Sequence, residues 1–363
     1  MRNTLGNNIA VTLFGESHGV AIGAVLDGMP AGIRIDDEYI ADKMNQRHPY
    51  GKISTQRCEA DEFHIISGVK DGVSTGAPIT VIIENREQKS NDYSALKDTP
   101  RPSHADYTAN VKYGGMQDER GGGHFSGRLT APLVAVGAII QRALLDKGIK
   151  IGTHIKMLHG ISDRDFSDLE NDISTLGEKI FPVLDSETEA DMTNEILKAA
   201  QTGDSVGGIL EGAIIGVPAG IGEPWFDTLE GMLSHALFSI PAIKGVEFGL
   251  GFGFADKYGS EANDPFYTDG EGIFTETNNN GGINGGITNG MPIIFRCAVK
   301  PTPSIYKEQK TVSLSKMENV TLKIEGRHDP AIIHRARAVV DAVSAIVIAD
   351  ALISAHGAKY FGG

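Results

Sequence analysis

Short apolar runs, separated by polar and glycine-rich stretches, recur along the chain and predict β-strands. The runs are rich in valine, isoleucine and threonine and are bounded by glycine, aspartate or proline. Short glycine-rich connections, such as the one between the first two runs, favour antiparallel neighbours because parallel strands need longer crossovers. The predicted strands cover residues 9–14, 22–26, 63–69, 79–84, 207–215, 293–299 and 320–324.

Two longer segments repeat their apolar residues at the spacing of an α-helix. The first covers about residues 128–147 and ends at Gly148, a residue type typical of helix C-termini. The second begins at Pro330 and continues almost to Gly357. Around residues 343–349 it is apolar on nearly every face, which predicts burial on several sides. Shorter helices are predicted at residues 37–44, 187–200 and 226–238, and the acidic stretch 162–195 is predicted to be a solvated excursion.

The fold class follows from these elements. Short antiparallel strands around buried helices predict an α+β layered domain. No linker or low-complexity segment divides the chain, and residues with candidate chemistry are spread from end to end. If those residues form one site, the chain cannot be divided between them. We therefore expect residues 1–363 to form a single domain.

The composition of the 363-residue chain excludes several classes of protein. With 40% hydrophobic residues the chain can bury a core, and with only Cys58 and Cys297 it is not a disulfide scaffold. The formal net charge of −14 argues against a nucleic-acid or anionic-membrane partner, although a local cluster of basic residues could still bind a small anion. The longest strongly apolar stretch, 129–140, is too short to span a bilayer, and the chain opens without an export signal. Together these features predict a cytoplasmic protein.

The first candidate motif, Gly-Glu-Ser-His-Gly at residues 15–19, directly follows a predicted strand. It fits the G-x-S-x-G pattern of a hydrolase nucleophile elbow, in which Ser17 would be the nucleophile. An elbow requires a following helix, whereas residues 20–28 have the pattern of a strand and turn. A serine hydrolase is therefore an alternative, beside a simple glycine-flanked turn.

Two further motifs concentrate positive charge. Residues 101–106, Arg-Pro-Ser-His-Ala-Asp, combine a permanent cation and a titratable imidazole with the stiff Pro102. Residues 120–128, Arg-Gly-Gly-Gly-His-Phe-Ser-Gly-Arg, place three glycines before a predicted helix. Backbone N–H groups and the helix dipole would attract a phosphate or carboxylate there. The stretch lacks the Lys-Ser/Thr ending of a Walker loop, which disfavours a nucleoside triphosphatase.

The fourth motif, Gly-Arg-His-Asp-Pro at residues 326–330, precedes the long C-terminal helix. Pro330 suits the first helical position, and Asp329 suits the N-cap, where its carboxylate would accept backbone hydrogen bonds. Neither H-E-x-x-H nor paired cysteine motifs occur, so no metal site is predicted. The remaining candidates are a basic turn at residues 47–52 and loops at 278–286 and 300–304.

Taken together, the four motifs resemble the chorismate synthase family in order and approximate spacing, over essentially the whole chain. The resemblance implies an enzyme that converts an anionic small molecule, 5-enolpyruvylshikimate 3-phosphate, to chorismate by anti 1,4-elimination of phosphate. It implies dependence on reduced FMN, with NADPH only an indirect source of reducing equivalents. It also implies helices between two antiparallel sheets and a homotetramer. Because no extra nicotinamide-binding domain is evident, an external flavin reductase is an expected partner.

The resemblance also implies roles for individual residues. His104 is the acid that protonates the departing phosphate, and His18 protonates or electrostatically stabilises the reduced flavin. Asp329, with Ser17 beside it, helps to take a proton from the flavin ring. The substrate carries a phosphate and two carboxylates, so its binding needs several cations, and the arginine fork matches both kinds of anion. The expected cations are Arg47, Lys52, Arg101, Arg120, Arg128 and Arg327. The expected FMN contacts are His124, Phe125, Ser126, Pro241, Ala242, Gly285, Lys300, Pro301, Thr302, Pro303, Ser304 and Arg327.

The chain departs from the family pattern at several positions. Ser103 stands where glycine is usual, Pro303 is a substitution, and residues 124–127, His-Phe-Ser-Gly, replace Arg-Ser-Ser-Ala. The missing arginine removes a permanent charge beside the expected flavin site, and His124 replaces that charge only when protonated. A flavin- or phosphometabolite-binding protein without turnover is the second alternative.

Overall fold

Helices and strands fill most of the part of the chain that the computed structural model describes, residues 3–54, 61–86, 98–324 and 328–362. The α-helices are α1 (Asp37–Asn45), α2 (Asp106–Tyr113), α3 (Thr130–Leu145), α4 (Leu169–Glu178), α5 (Ser186–Gln201), α6 (Leu229–Ser239), α7 (Gly259–Ala262) and α8 (Ile333–His356). The strands are β1 (Thr4–Leu5), β2 (Ala10–Gly15), β3 (Ala21–Asp27), β4 (Phe63–Ser67), β5 (Val69–Lys70), β6 (Val73–Ser74), β7 (Ile79–Glu84), β8 (Lys150–Leu158), β9 (Ile161–Ser162), β10 (Gly208–Ile215), β11 (Ile243–Phe248), β12 (Phe266–Thr268), β13 (Ile273–Thr275), β14 (Ile283–Asn284), β15 (Ile287–Thr288), β16 (Ile293–Val299), β17 (Gln309–Ser313) and β18 (Glu318–Leu322).

Two five-stranded antiparallel sheets form the outer layers. The first has the strand order β1-β2-β3-β7-β4, and the second has the order β11-β16-β10-β8-β9. Four two-stranded ribbons, β5-β6, β12-β13, β14-β15 and β17-β18, accompany these sheets in the described residues. The strands of the second sheet lie between residues 150 and 299, so strands that are neighbours in the sheet are often far apart in the sequence.

Helices α3 and α8 lie between the two sheets. Helix α3 packs on β3 and β7 of the first sheet, α8 packs on β8 and β10 of the second, and the two helices pack on each other. They approach closely at Gly137, where an added Cβ would lie 2.4 Å from the Cβ of Ala342. Every residue of α8 from Ile333 to Ile353 is buried except Arg335. The predicted α+β fold, with helices between two antiparallel sheets, is confirmed.

Two helical segments of the described chain are long and apolar enough to cross a membrane by length and composition alone. They are Gly127–Leu145 and Ile333–His356, and 83% and 89% of the most apolar window of each is buried inside the protein. Burial between the sheets accounts for their apolar character.

The acidic stretch 162–195 is not the solvated excursion that its composition predicts. It forms α4 and the first part of α5, and its apolar residues Ile173, Leu176 and Met192 are buried. Ile173 and Leu176 lie three residues apart in α4, and Met192 lies four residues before the buried Ile196 in α5, so each helix buries one apolar face and exposes a charged one. The sequence pattern did not predict strand β8, because polar residues such as Thr153 and His154 interrupt its apolar run. Both of these residues are nevertheless buried.

A buried carboxylate ties the start of the first sheet to the last helix. Asp350 of α8 accepts hydrogen bonds from the backbone N–H groups of Asn7, Asn8 and Ile9, at 3.0, 2.6 and 3.0 Å. Only 2% of Asp350 is exposed, so these three donors replace the water that a buried carboxylate would otherwise need. The pairing anchors β2, and with it residues 15–19, to the C-terminal helix.

His154 in β8 makes the unfolding free energy depend on pH. Its imidazole lies between Asp163 and Glu211, at 2.9 and 3.1 Å. Burial alone would lower the pKa of His154, but the two carboxylates outweigh burial and raise it. The resulting stabilisation is complete below the unfolded-state pKa of about 6.5 and is lost as the pH rises through the raised folded-state pKa. We expect His154→Gln to flatten this alkaline decline in chemical denaturation, with the exposed His64→Gln as control. If the unfolding free energies of the two variants showed the same dependence on pH, this role of His154 would be contradicted.

Candidate active site

A cavity of about 860 Å³ collects most of the predicted site residues. This volume lies in the upper part of the range typical of small-molecule and cofactor sites. Of the predicted residues, the cavity is lined by Arg47, His104, His124, Phe125, Ser126, Arg128, Pro241, Ala242, Lys300, Thr302, Pro303 and Asp329. Those that are described but lie outside its lining are Ser17, His18, Lys52, Arg101, Arg120, Gly285, Pro301 and Ser304. Arg327 lies outside the described residues.

The glycine loop brings the two candidate imidazoles together. Gly121, Gly122 and Gly123 have φ values of 59°, 84° and 52°, in the left-handed region that favours glycine. A Cβ at Gly121 would lie 2.2 Å from Cε1 of His18, and a Cβ at Gly122 would lie 3.5 Å from Cε1 of His104. The two histidines therefore contact consecutive residues of one loop, although they are far apart in the sequence.

The predicted helix closely follows the glycine loop. Gly121–Gly123 lie within Arg120–Phe125, a 3₁₀ turn at Gly127–Leu129 comes next, and α3 continues directly from Thr130. Consecutive left-handed residues cannot continue a right-handed helix, so the loop must turn before α3 starts. The helical segment Gly127–Leu145 therefore begins only a few residues after the glycine loop.

Ser17 has the environment of a structural hydroxyl rather than that of a nucleophile. It is buried, its Oγ lies 3.1 and 3.2 Å from the carbonyl oxygens of Arg120 and Gly121, and it lies 3.2 Å from Nδ1 of His18. Strand β3 follows the motif from Ala21, so the helix that a nucleophile elbow requires is missing at this point. The hydroxyl ties the glycine loop to residues 15–19.

His104 belongs to a compact charged group at the start of α2. Its Nδ1 lies 2.6 Å from Oδ1 of Asp106, and Arg101 donates from Nε and Nη2 to both carboxylate oxygens of Asp106, each at 2.8 Å. Burial opposes ionisation of Asp106, but hydrogen bonds from Arg101 and His104 hold its pKa well below the usual range. A small chamber of about 40 Å³ lies against His104 and Asp106, so the ring of His104 borders both cavities.

Two of the expected substrate cations share a carboxylate that sequence reasoning missed. Asp61 contacts the guanidinium of Arg47, lies 2.5 Å from Nη1 of Arg128 and lies 3.3 Å from Nε2 of His48. Burial opposes its ionisation, but these three cationic or donating groups hold the pKa of Asp61 well below its usual range. Asp61 therefore neutralises part of the positive charge at this wall, and no motif marks it in the sequence.

Asp329 is not the N-cap of the last helix, so that prediction is wrong. Helix α8 begins at Ile333 with Ile332 at the N-cap and no side-chain cap, and Pro330 lies before the first helical position. Asp329 instead accepts a hydrogen bond from Nη1 of Arg335 at 2.7 Å. The attraction of a guanidinium in the first turn of α8 outcompetes capping, and it holds the carboxylate at the cavity wall.

The remaining wall fits a flat aromatic ring that carries a phosphate. Apolar side chains of Phe238, Ile240 and Ile332 line it, and Lys244 and Lys300 add two cations. Burial lowers the pKa of Lys300 and the neighbouring Lys244 adds to this effect, so an anion at this place would be bound favourably. FMN has this combination of ring and phosphate. Within the described residues no group of three histidine, cysteine, aspartate or glutamate side chains could hold a metal ion.

Two chain-specific residues shape this wall. His124 donates from Nδ1 to the carbonyl oxygen of Gly15 at 2.8 Å, which leaves its Nε2 for the cavity side of the ring. Ser103, at φ 59°, adopts a left-handed backbone that usually favours glycine, and its carbonyl oxygen accepts a hydrogen bond from Nζ of Lys300 at 2.5 Å. His124 is thereby fixed to residues 15–19, and Ser103 holds Lys300 at the cavity wall.

The similarity to known proteins identifies an enzyme of the lyase class that acts on a phosphate ester, and the imidazoles and cations of the cavity agree with this class. A family model described as chorismate synthase matches residues 9–353. The chain is 45% identical to a chorismate synthase of Thermococcus kodakarensis, over 96% of this chain and 97% of that protein, and 46% identical to one of Methanobrevibacter smithii, over 97% of each. A solved structure titled "Crystal Structure of Chorismate Synthase" matches with a TM-score of 0.76 and 30% identity, over 97% of this chain and 94% of that one. The chain belongs to the chorismate synthase family.

Proposed function

We propose that this protein catalyses the anti 1,4-elimination of phosphate from 5-enolpyruvylshikimate 3-phosphate, giving chorismate, in the presence of reduced FMN. The observation that carries the proposal is that His104, Asp329 and several cationic side chains line one and the same cavity. Arg47 and Arg128 are two of these cationic side chains, and they come from segments far apart in the sequence. Family membership supports the same reaction.

Reduced FMN, when bound, supplies the electron density that promotes loss of the phosphate. The residues that would hold it are the cavity-lining members of the predicted set: His124, Phe125, Ser126, Pro241, Ala242, Lys300, Thr302 and Pro303. Gly285, Pro301, Ser304 and Arg327 stay predicted flavin contacts.

His104 is the proposed general acid. Its Nδ1 is engaged by Asp106, so Nε2 is the atom that donates a proton to the oxygen of the departing phosphate. Asp329, oriented by Arg335, keeps its predicted role beside the flavin ring, where its carboxylate would take up the proton that the elimination releases. One C–O bond and one C–H bond break, and the proton count balances between the two side chains. His18 keeps its predicted electrostatic role and Ser17 holds the glycine loop beside it.

Substrate anions are proposed to bind at the Arg47–Arg128 wall. The guanidinium groups are buried around Asp61, where water screens a bound phosphate poorly and the attraction is correspondingly strong. Lys52, Arg120 and Arg327 stay predicted substrate contacts. Arg120 is exposed and forms an ion pair with Asp118.

The proposed function is tested by incubating the protein anaerobically with substrate and dithionite-reduced FMN and measuring phosphate release. Release of phosphate with formation of chorismate is expected. No release under reducing conditions would overturn the proposal. Labelling of Ser17 by a fluorophosphonate would favour a hydrolase, and tight FMN binding without phosphate release would favour a binding protein.

We further propose a single-domain subunit that assembles into a homotetramer in the cytoplasm. One continuous hydrophobic core supports the single domain. Several large apolar side chains between residues 225 and 273 are exposed, and a partner subunit would cover them. They are Trp225, Phe226, Phe252, Tyr258, Phe266 and Ile273. The flavin is proposed to be reduced by an external reductase, with NADPH as an indirect electron source. Sedimentation analysis of the purified protein tests the subunit number.

Asp329→Asn is expected to lower turnover at least tenfold while changing thermal stability little. The substitution removes the proton acceptor, but Asp329 caps no helix and the asparagine oxygen can still accept the hydrogen bond from Arg335, so we expect a loss of stability of about 1–2 kcal/mol. Asp168→Ala is the contrasting variant, because Asp168 does cap α4 through the N–H of Asn171 and lies outside the cavity lining. Wild-type turnover with a large fall in melting temperature would refute the catalytic role of Asp329.

A further inference from the structure

We infer that Asp106 is a positioning residue that fixes the orientation and protonation of His104, and that Arg101 orients Asp106. The inference rests on the proposed role of His104 as general acid. It assigns functions to two charged residues of the 101–106 motif on the basis of their contacts with each other.

The geometry leaves Arg101 committed to Asp106. Its Nε lies 2.8 Å from Oδ2 and its Nη2 lies 2.8 Å from Oδ1, the two-point pairing that a guanidinium makes with a carboxylate. The backbone N–H of Arg101 also donates to Oδ2 of Asp106 at 3.0 Å. Arg101 is 8% exposed and is absent from the lining of the large cavity, which does include His104. A guanidinium held in this way turns the carboxylate toward His104.

The contact between His104 and Asp106 fixes the tautomer. A separation of 2.6 Å between an imidazole nitrogen and an ionised carboxylate requires a hydrogen on Nδ1, so Nε2 is the nitrogen that exchanges protons with the cavity. Nη2 of Arg101 lies only 3.0 Å from the same Nδ1 and cannot accept a hydrogen bond. The positive charge of Arg101 therefore disfavours the protonated form of His104, and the negative charge of Asp106 opposes this effect.

This balance predicts opposite effects for the two charged neighbours. Without the negative charge of Asp106, His104 faces an uncompensated guanidinium and its titration midpoint moves to lower pH. Without the positive charge of Arg101, the midpoint moves to higher pH. If Asp106 and Arg101 only supported the fold, their substitutions would not shift the His104 titration midpoint in opposite directions.

Other charged groups near His104 are unchanged in the Asp106 and Arg101 variants. His328 faces Arg101 and His104, and burial first, then Arg101, lowers its pKa. Lys300 binds the carbonyl oxygen of Ser103, next to the imidazole. Asp118 and Glu119 line the small chamber together with His104. None of them makes the direct Nδ1 contact that distinguishes Asp106.

The test compares Asp106→Asn, Arg101→Gln and the control Glu119→Gln in the full-length protein. Each is produced with labelled histidine, and the His104 ring is followed by NMR without substrate, its signal assigned with His104→Gln. We expect the midpoint to fall by about one pH unit or more in Asp106→Asn, to rise in Arg101→Gln and to stay unchanged in Glu119→Gln. Asp106→Glu should restore most of the wild-type titration.

Kinetics separate this inference from the proposed function. We expect Asp106→Asn to reduce kcat by about 10- to 100-fold, with KM changed only a few-fold and the limbs of the pH profile moved. An unchanged His104 titration and tautomer in Asp106→Asn would overturn the inference, whatever the activity. An altered titration with wild-type kcat would uphold the positioning role and overturn His104 as the acid. A rise in substrate Kd for Arg101→Gln without a change in the His104 titration would show that Arg101 does not act on His104 through Asp106.

Discussion

Replacing His104 with alanine is expected to lower turnover by about two to four powers of ten while FMN still binds. This is the range in which a positioned general acid contributes, and the substitution leaves the departing phosphate without the Nε2 proton. The imidazole borders only part of a cavity whose remaining walls are unchanged, so flavin affinity should stay close to that of the wild type. Anaerobic phosphate release and FMN titration measure the two quantities.

His64→Ala is the control for the loss of an imidazole, since His64 is exposed on β4 and lies outside the cavity lining. It should behave as wild type in both measurements. Near-wild-type turnover in His104→Ala would remove His104 from the mechanism. Equal losses of FMN binding and turnover would instead indicate a damaged cavity.

Replacing Gly121 with alanine is expected to abolish most of the activity in a protein that still folds. The new Cβ would lie 2.2 and 2.4 Å from Cε1 and Nδ1 of His18 and 2.8 Å from Oγ of Ser17, so both buried side chains must move. The left-handed backbone at φ 59° adds roughly 1–2 kcal/mol of strain, which a chain of this size can tolerate. We expect turnover to fall at least 100-fold, measured by phosphate release alongside circular dichroism.

Gly127→Ala is the matched control from the same loop. Gly127 has no positive φ, and an added Cβ there meets nothing within 4 Å. Its turnover and melting temperature should remain close to the wild-type values. If Gly121→Ala retained full activity, the position of His18 against the glycine loop would be irrelevant to the reaction.

The parts of the fold that could be predicted from the sequence are those set by local pattern. Strands β7 and β16 occur at the predicted residues, and α8 is buried on all sides as its apolar faces indicate. Strand β8 and the packing of α4 could not be predicted in this way. The buried His154 of β8, for example, is satisfied by Asp163 and Glu211, which only the folded chain brings near.

In the candidate site, too, local patterns could be predicted and long-range pairings could not. The motifs identified residues of one cavity, because glycines, imidazoles and arginines in short runs carry a chemical signal of their own. They did not indicate which carboxylate each arginine faces. Asp61 between Arg47 and Arg128, and Arg335 beside Asp329, are pairings without a local pattern. Counting cations in a sequence therefore overstates the positive charge that is available to a ligand.

The three backbone hydrogen bonds that Asp350 accepts have a consequence for biosynthesis. As the ribosome releases the chain, residues 7–9 leave the tunnel early, while the carboxylate that holds them is made much later. Until then the nascent first sheet lacks the anchor that α8 provides, although α3, which packs on β3 and β7, has already been made. Catalytic competence is consequently acquired late, after most of the polypeptide has been translated.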